Sequence, residues 1–330
     1  MKIVRASSAI LGILCVVFCV LLGGKISNTP KQLKSSPKQT VITLWHVDTF
    51  EGGQGSRKQF LLKTARRLES VEQGVLVSVI EHTPESIKDA FDKGQIPDMV
   101  SYANGIRVEN LKEISINLAF SGGNVDGKTY ALPWCRGGYV VIAKKSSKVN
   151  VTENAFENMI VSKGAFNQPL CALALEEIRV KNIKILSPQD AFWEFVNSKD
   201  GVMIGTQRDI VRANNLNLEI SSRPLTKFND LFQYVSVTTN DQAKNMLCQK
   251  YLSVLFSLET QKELTNLSML SNYYSIGFEN EHLQKLQQLN SFSTLSAFAD
   301  SLTLKNVHSL SEDVVSGQIN MLDKLKNLTV

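Results

Sequence analysis

VITLWHVDTFEGGQGSRKQFLLKTARRL, Val41 to Leu68, changes periodicity partway along. Val41 to Trp45 is β-branched and apolar and reads as a buried strand. Ser56 and Gln59 have the spacing of a capping box, and Leu61, Ala65 and Leu68 then recur at helical spacing. Between them Gly52, Gly53 and Gly55 make a turn. A strand, a glycine turn and a helix in this order open an α/β chain.

The alternation continues downstream. Val75 to Ile80 reads as a second strand. Thr83 caps a helix with Pro84 in its first turn; Ile87, Ala90 and Phe91 line its inner face and Gly94 ends it. Asp98 to Ser101 opens a third apolar stretch. Strand, helix, strand, helix, strand predicts a parallel sheet with helices on both faces. Tyr130 to Pro133 and Tyr139 to Ala143 read as strands joined through Gly137-Gly138. A helix at Asp190 to Val196 precedes the apolar run Gly201 to Ile204. Thr239-Asn240-Asp241 starts a long helix striped by Leu247, Tyr251 and Leu255. The closing segments from Glu281 to Leu328 are helical by pattern, and no internal repeat is evident.

Length and composition bound the function. At 330 residues the chain holds about two domains. Its net charge of +5 is mild, and 36 basic residues are dispersed among 31 acidic ones. With no long basic block, nucleic acid is not an expected partner. Lys2 and Arg5 precede an apolar run from Ala9 to Leu22 that Gly23, Gly24 and Lys25 close. Residues 1–24 therefore read as a secretory signal peptide or anchor. The run is short against the roughly 20 residues of a membrane span. No A-x-A site follows it, so a tether through 9–22 stands beside cleavage. The chain is expected outside the cytoplasm, at the cell surface or extracellular. Residues 25–40, rich in Lys, Ser, Pro and Gln, read as a flexible spacer. Beyond the signal, Cys135, Cys171 and Cys248 are odd in number and widely spaced, which is not a disulfide framework.

Four readings of the opening turn compete. A phosphate cradle needs G-x-x-x-x-G-K-[ST] or G-x-G-x-x-G, and Gly52, Gly53 and Gly55 fit neither. Acid–base chemistry by His46, Asp48 and Glu51 lacks any G-x-S-x-G elbow or recognisable catalytic cysteine beside it. His46, His82 and Asp48 have the ligand types of a zinc site, without the spacing that would pin them together. The fourth reading is the lip of a cleft. In open α/β sheets ligands bind outside the carboxyl ends of the strands, where Trp45 to Asp48, His82 and Tyr102 to Asn104 fall. Aromatic faces with short polar side chains suit a neutral polyhydroxylated ligand.

Several separated motifs now agree: Ile42-Thr-Leu-Trp-His46 with its glycine turn, Pro97-Asp-Met-Val-Ser-Tyr102, Gly127-Lys-Thr-Tyr-Ala-Leu-Pro-Trp134 with Tyr139-Val-Val-Ile142, and Gly201-Val-Met-Ile-Gly-Thr-Gln-Arg-Asp209. The long helix after Asn240, with Glu259-Thr-Gln261 at its end, adds a fifth. In this order they resemble the family 1 extracellular solute-binding proteins of bacterial ABC importers, the maltose-binding-protein class. The resemblance implies a type II periplasmic-binding fold. Residues 41–143 and 238–280 would form lobe one, and 144–237 and 281–330 lobe two. A small ligand, by family habit a carbohydrate, would sit between the lobes and close them by a hinge motion. The permease and its ATPase would be separate chains. No cofactor, metal or catalytic residue is implied.

Carried over by position, the ligand contacts would be Trp45, His46 and Asp48 after the first strand and Tyr102 and Asn104 after the third. Trp134 and Arg136 would follow at the hinge approach, with Gln207, Arg208 and Asp209 in the second lobe. Each has a plainer alternative: Trp45 in the core, His46 as a hydrogen-bonded loop residue, Arg208 and Asp209 paired or capping the next helix. The chain departs from the family in three ways. Thr206 and Gln207 stand where members often carry tryptophan. The Lys144–Lys199 segment is short, which implies a reduced second lobe. The lipoprotein cysteine of Gram-positive members is missing. These departures sustain a rival reading, a cell-surface sensor or protein-interaction module on the same fold without a transport role.

Overall fold

Strand β1 (Thr40–Val47) lies between two parallel neighbours, β2 (Val75–His82) and β3 (Met99–Tyr102). The structure is a computed structural model that describes residues 39–330; the expected signal or anchor at 1–24, and the spacer as far as residue 38, lie outside the described residues. The folded unit runs from Thr40 to Val330. Both neighbours pair with the second half of β1, Leu44 to His46, and this is where its burial becomes continuous. β12 (Phe232–Val237) adds antiparallel to β3, and β6 (Leu132–Arg136) antiparallel to β12. The first sheet therefore runs β2-β1-β3-β12-β6.

Helix α1 (Arg57–Val71) packs on β2 and on α6 (Gln242–Leu255), which also contacts β1. Ser56 caps α1 by accepting from the Gln59 amide, the hydroxyl half of the expected box. Thr83 and Ser86 form a reciprocal box at α2 (Pro84–Asp92), with Pro84 in its first turn. A small hairpin, β4 (Asn124–Val125) and β5 (Lys128–Thr129), turns at Asp126 and Gly127. Their φ values of 49° and 77° are the pair of left-handed residues a two-residue hairpin requires.

The second sheet contains β7 (Tyr139–Lys144), β8 (Ala155–Ser162), β9 (Arg179–Leu186), β10 (Val202–Thr206) and β11 (Ile220–Pro224), in the order β9-β8-β10-β7-β11. β9, β8 and β10 are parallel, and β7 is antiparallel to both β10 and β11. Strand for strand this repeats the first sheet, although the sequence shows no repeat. Helices α3 (Pro169–Leu175) and α9 (Ser301–Val315) supply Leu173, Leu304 and Val307 to the core against Val141 and Val161. Helices α4 (Pro188–Asn197), α5 (Gln207–Asn215) and α8 (Glu281–Gln287) supply Phe195, Ile210 and Leu286 to the core against Val140 and Ile142. Alternate residues of β7 thus face opposite layers, as a sheet covered on both sides requires.

Two expectations are corrected here. The second lobe is not reduced in its sheet, which has five strands like the first. The lobe boundaries also move. β7 belongs to the second sheet and β12 to the first, so the first two crossings lie at Gly137-Gly138 and at residues 225–231, not after 143 and 237, and a third follows between Leu267 and α8. The pairing partner decides a strand's lobe, and the sequence does not name that partner.

Candidate ligand-binding cleft

The glycine turn after β1 is bolted to its own lobe. The Gln54 amide donates to the Leu267 carbonyl at 2.6 Å. A Cβ on Gly53 would run into the carbonyls of Leu267 and Ser268, so only glycine fits this close approach. The turn thereby carries Asp48 to Gly52 out over the carboxyl end of the sheet.

A cavity of about 380 Å³ lies there, between the lobes. Its first-lobe wall is Asp48 to Gly52 with Arg57; its second-lobe wall includes Ser162, Asn167, Pro188 and Thr206, and Leu231 closes it from the second crossing. Val47, Ser162 and Thr206 end β1, β8 and β10, so the cavity sits beyond the carboxyl ends of parallel strands in both sheets. Thr49 is 7% exposed, and its hydroxyl has no hydrogen-bond partner among the described residues. The hydroxyl oxygen is out of contact with solvent, and a buried hydroxyl without a partner carries a desolvation cost.

Behind Asp48 runs a hydrogen-bond chain whose direction is fixed. Arg57 can only donate, so the Gln233 oxygen that meets its Nη1 at 3.0 Å is the acceptor. The Gln233 amide nitrogen then donates to the Val47 carbonyl at 3.0 Å and to Ser101 Oγ at 3.1 Å. Trp134 Nε1 also donates to Ser101 Oγ, at 2.9 Å. With both lone pairs used, the Ser101 hydroxyl gives its hydrogen to His46 Nδ1 at 3.0 Å. The imidazole hydrogen therefore sits on Nε2, 2.8 Å from Asp48 Oδ1. Arg57 Nε reaches the same oxygen at 2.7 Å. Burial raises the Asp48 pKa, but the His46 hydrogen bond and the Arg57 guanidinium outweigh it and hold the carboxyl below its usual range.

Ser101, His46 and Asp48 have the residue types of a nucleophilic triad, but the order of exposure is inverted. Ser101 and His46 are fully buried while the Asp48 side chain is 47% exposed. A serine oxygen that already accepts two hydrogen bonds and faces no cavity attacks nothing.

Of the ten expected contacts, Asp48 lines the cavity and the others lie elsewhere. Trp45 is 8% exposed and packs on His82 and Phe91, with ring centroids 4.5 and 5.6 Å away. His46 is spent on Ser101 and Asp48. Tyr102 is buried against Tyr234 and hydrogen-bonded to Ser236 at 3.1 Å. Burial pushes its hydroxyl far above the usual range. Buried Asn104 donates to the Ser296 carbonyl. Trp134 is fully buried and stacked on Phe60 at 5.3 Å.

Arg136, 2% exposed, donates to the carbonyls of Leu286, Gln287 and Leu289 at 3.2, 3.2 and 2.8 Å. It caps the end of α8, and burial lowers its pKa to about 10. Gln207 is buried at the first crossing, where its oxygen accepts from the Gly138 amide at 3.1 Å. Asp209 is buried as a cap, accepting from the Thr206 amide at 2.9 Å; burial raises its pKa to about 6. Arg208 donates to the Gly53 carbonyl across the lobes.

The zinc alternative fails on strand parity. Val47 pairs with His82 and His46 with Glu81, so the two imidazoles leave opposite faces of the sheet. No group of three metal-binding side chains occurs among the described residues.

The cavity residues missed from sequence include Thr49, Phe50, Arg57, Ser162, Asn167 and Leu231. The one available signal was positional: Ser162 ends β8 as Val47 ends β1, and the loop after such a strand faces the cleft.

No family model and no curated protein matches the chain. Solved structures do. The chain is similar to the GacH receptor of Streptomyces glaucescens, described unliganded and with acarbose, at a TM-score of 0.56 and 13% identity, covering 88% of this chain and 98% of that one. It is similar to the cyclic α-maltosyl-1,6-maltose binding protein of Arthrobacter globiformis at 0.58 and 10%, covering 88% and 98%. The galacto-N-biose/lacto-N-biose I-binding protein of an ABC transporter from Bifidobacterium longum matches at 0.55 and 13%, covering 88% and 96%. At these identities the likeness establishes the fold: this chain has the two-lobe type II periplasmic-binding architecture over nearly the whole length of those proteins.

Proposed function

We propose that this chain is an extracytoplasmic solute-binding protein. It captures a small polyhydroxylated ligand, a sugar or short oligosaccharide, between its lobes and delivers it to an ABC permease made of separate chains. The observation that carries this reading is the interlobe cavity at the strand ends, where the Asp48 carboxylate, the unpartnered Thr49 hydroxyl, Ser162 and Asn167 meet. Acceptors and donors interleaved on two facing walls match a ring of hydroxyls better than an apolar or highly charged ligand. Phe50 supplies an aromatic ring at the wall, with the Arg57 guanidinium 4.5 Å above it. The solved proteins of this fold that bind acarbose, cyclic maltosyl-maltose and lacto-N-biose support the ligand class. Export follows from the reading of Lys2 to Lys25; among the described residues no helix is long and apolar enough to cross a membrane.

Nothing at the cavity has the form of an activated nucleophile, so capture rather than turnover is the function proposed. The rival, a surface sensor on the same fold, draws on Thr206 and Gln207 standing where a stacking tryptophan is common.

A thermal-shift panel of mono- and oligosaccharides, with peptides, phosphates and divalent metals alongside, tests the reading. Ligand at a hundredfold over its dissociation constant adds about 2.7 kcal/mol. A saccharide-specific shift is expected. No shift with any saccharide overturns the proposal in favour of the sensor.

A further inference from the structure

Helix α5 reaches across the cleft with three side chains. Gln207 Nε2 donates to the Glu51 carbonyl at 3.2 Å. Arg208 donates to the Gly53 carbonyl. Arg212 grips the Glu51 carboxylate with both terminal nitrogens, at 2.9 and 2.6 Å. These are bonds from the protein's second lobe to the glycine turn of its first, made with the chain's own groups.

Both halves are held in place from behind. Arg212 also donates to Asp209 Oδ1 at 3.0 Å and lies 5.6 Å from the Phe192 ring. The Asp209 and Glu51 carboxylates keep its pKa raised against the opposing effect of burial. The turn carrying Glu51 is fixed by Gln54 on Leu267 and by the close approach of Gly53. A planar guanidinium already oriented on one side, meeting a carboxylate already oriented on the other, forms a two-point bond with little further ordering. The pair is also sheltered, with Arg212 18% and Glu51 34% exposed. Glu51 is itself part of the cavity wall.

We propose that Glu51 and Arg212 form a latch that holds the lobes together without ligand, so that entry to the cleft waits on opening of this bond. The inference rests on the reading of the cavity as the ligand site. In the usual scheme ligand supplies the contacts that favour closure. Here the protein supplies them, and ligand association is limited by how often the latch opens.

Small-angle scattering on the ligand-free protein tests this, with wild type, Arg212→Ala and Glu51→Gln at low and high salt. Circular dichroism checks that each variant is folded. Expected is a compact wild type at low salt, a larger radius of gyration for Arg212→Ala, and an intermediate one for Glu51→Gln, which keeps the shape and loses the charge. Salt near 1 M expands wild type only part of the way toward Arg212→Ala, because a sheltered pair is screened less than an exposed one. A radius for both folded variants equal to that of wild type overturns the latch, as does a wild type already as large as Arg212→Ala. No saccharide enters the experiment, so its failure leaves the saccharide panel standing, and a failed panel leaves the latch measurable.

Discussion

The Tyr139 hydroxyl donates to Asp230 Oδ1 at 2.7 Å and accepts from the Gln168 amide at 2.9 Å. Tyr139 begins β7, directly after the first crossing, and Asp230 lies in the second. One hydroxyl therefore ties the first two crossings to each other and to the start of α3. The backbone repeats the tie: the Gly137 amide donates to the Leu231 carbonyl at 2.7 Å and the Asn229 side chain to the Gly137 carbonyl at 3.2 Å. The two crossing segments are thereby cross-linked side by side where they pass between the lobes.

Asp230 makes folding stability depend on pH. Burial raises its pKa to about 7 against the opposing Tyr139 hydrogen bond, and Oδ2 has no partner among the described residues. A carboxyl raised on folding contributes stability that is fully present below its unfolded value, about 4, and is lost as pH rises through about 7. The rise from 3.8 corresponds to at most roughly 4 kcal/mol. Asp209, raised to about 6, acts in the same direction, so Asp230→Asn is compared with wild type at each pH. Wild type should melt progressively lower than Asp230→Asn as pH goes from 5 to about 8. Parallel melting curves would remove Asp230 from the titration.

Thr49→Val tests the unpartnered hydroxyl. Valine keeps the shape and deletes an oxygen that bonds nothing within the described protein, so the melting temperature should hold or rise slightly. Saccharide affinity, read by calorimetry, should fall about tenfold, the worth of roughly one hydrogen bond. Unchanged affinity would take Thr49 out of the ligand contacts.

Trp134→Ala should behave oppositely. It empties a site stacked on Phe60 and removes a donor to Ser101, a change that costs about 3–5 kcal/mol in a buried core. The expected signature in denaturant titration is a lower midpoint, with binding by the remaining folded protein little altered. Lost binding at wild-type stability would return Trp134 to the cleft.

Chelator should leave the melting temperature unchanged, because His46 and His82 project from opposite faces and His46 has both nitrogens engaged. A large drop would call for a metal held by other residues.

The first half of the fold was legible because local signals agreed with global ones. Ser56, Thr83 and Asp241 each cap the helix they were expected to start. β9 escaped because it is an edge strand, where exposed Lys181, Asn182 and Lys184 dilute the apolar pattern. Most of the cleft escaped for a different reason. Tyr102 ends β3, Trp45 lies near the end of β1 and Trp134 is at the middle of β6; their rings suit a ligand by type, yet α2, β12 and α1 fold over them. Sequence gives the type of a side chain at a strand end and not what will cover it. Thr49, Ser162 and Asn167 are small polar residues of a kind found in every loop; only the meeting of two lobes distinguishes them.

The directed chain behind Asp48 has a consequence for affinity. A flexible surface carboxylate must surrender rotational freedom each time it takes a hydroxyl, and that loss recurs with every binding event. At Asp48 the rotamer is settled in advance by Arg57 and by an imidazole whose ring hydrogen has one place to go. The entropy of orienting this acceptor is spent once, at folding, and under the proposed function a sugar hydroxyl would meet an oxygen already held in place.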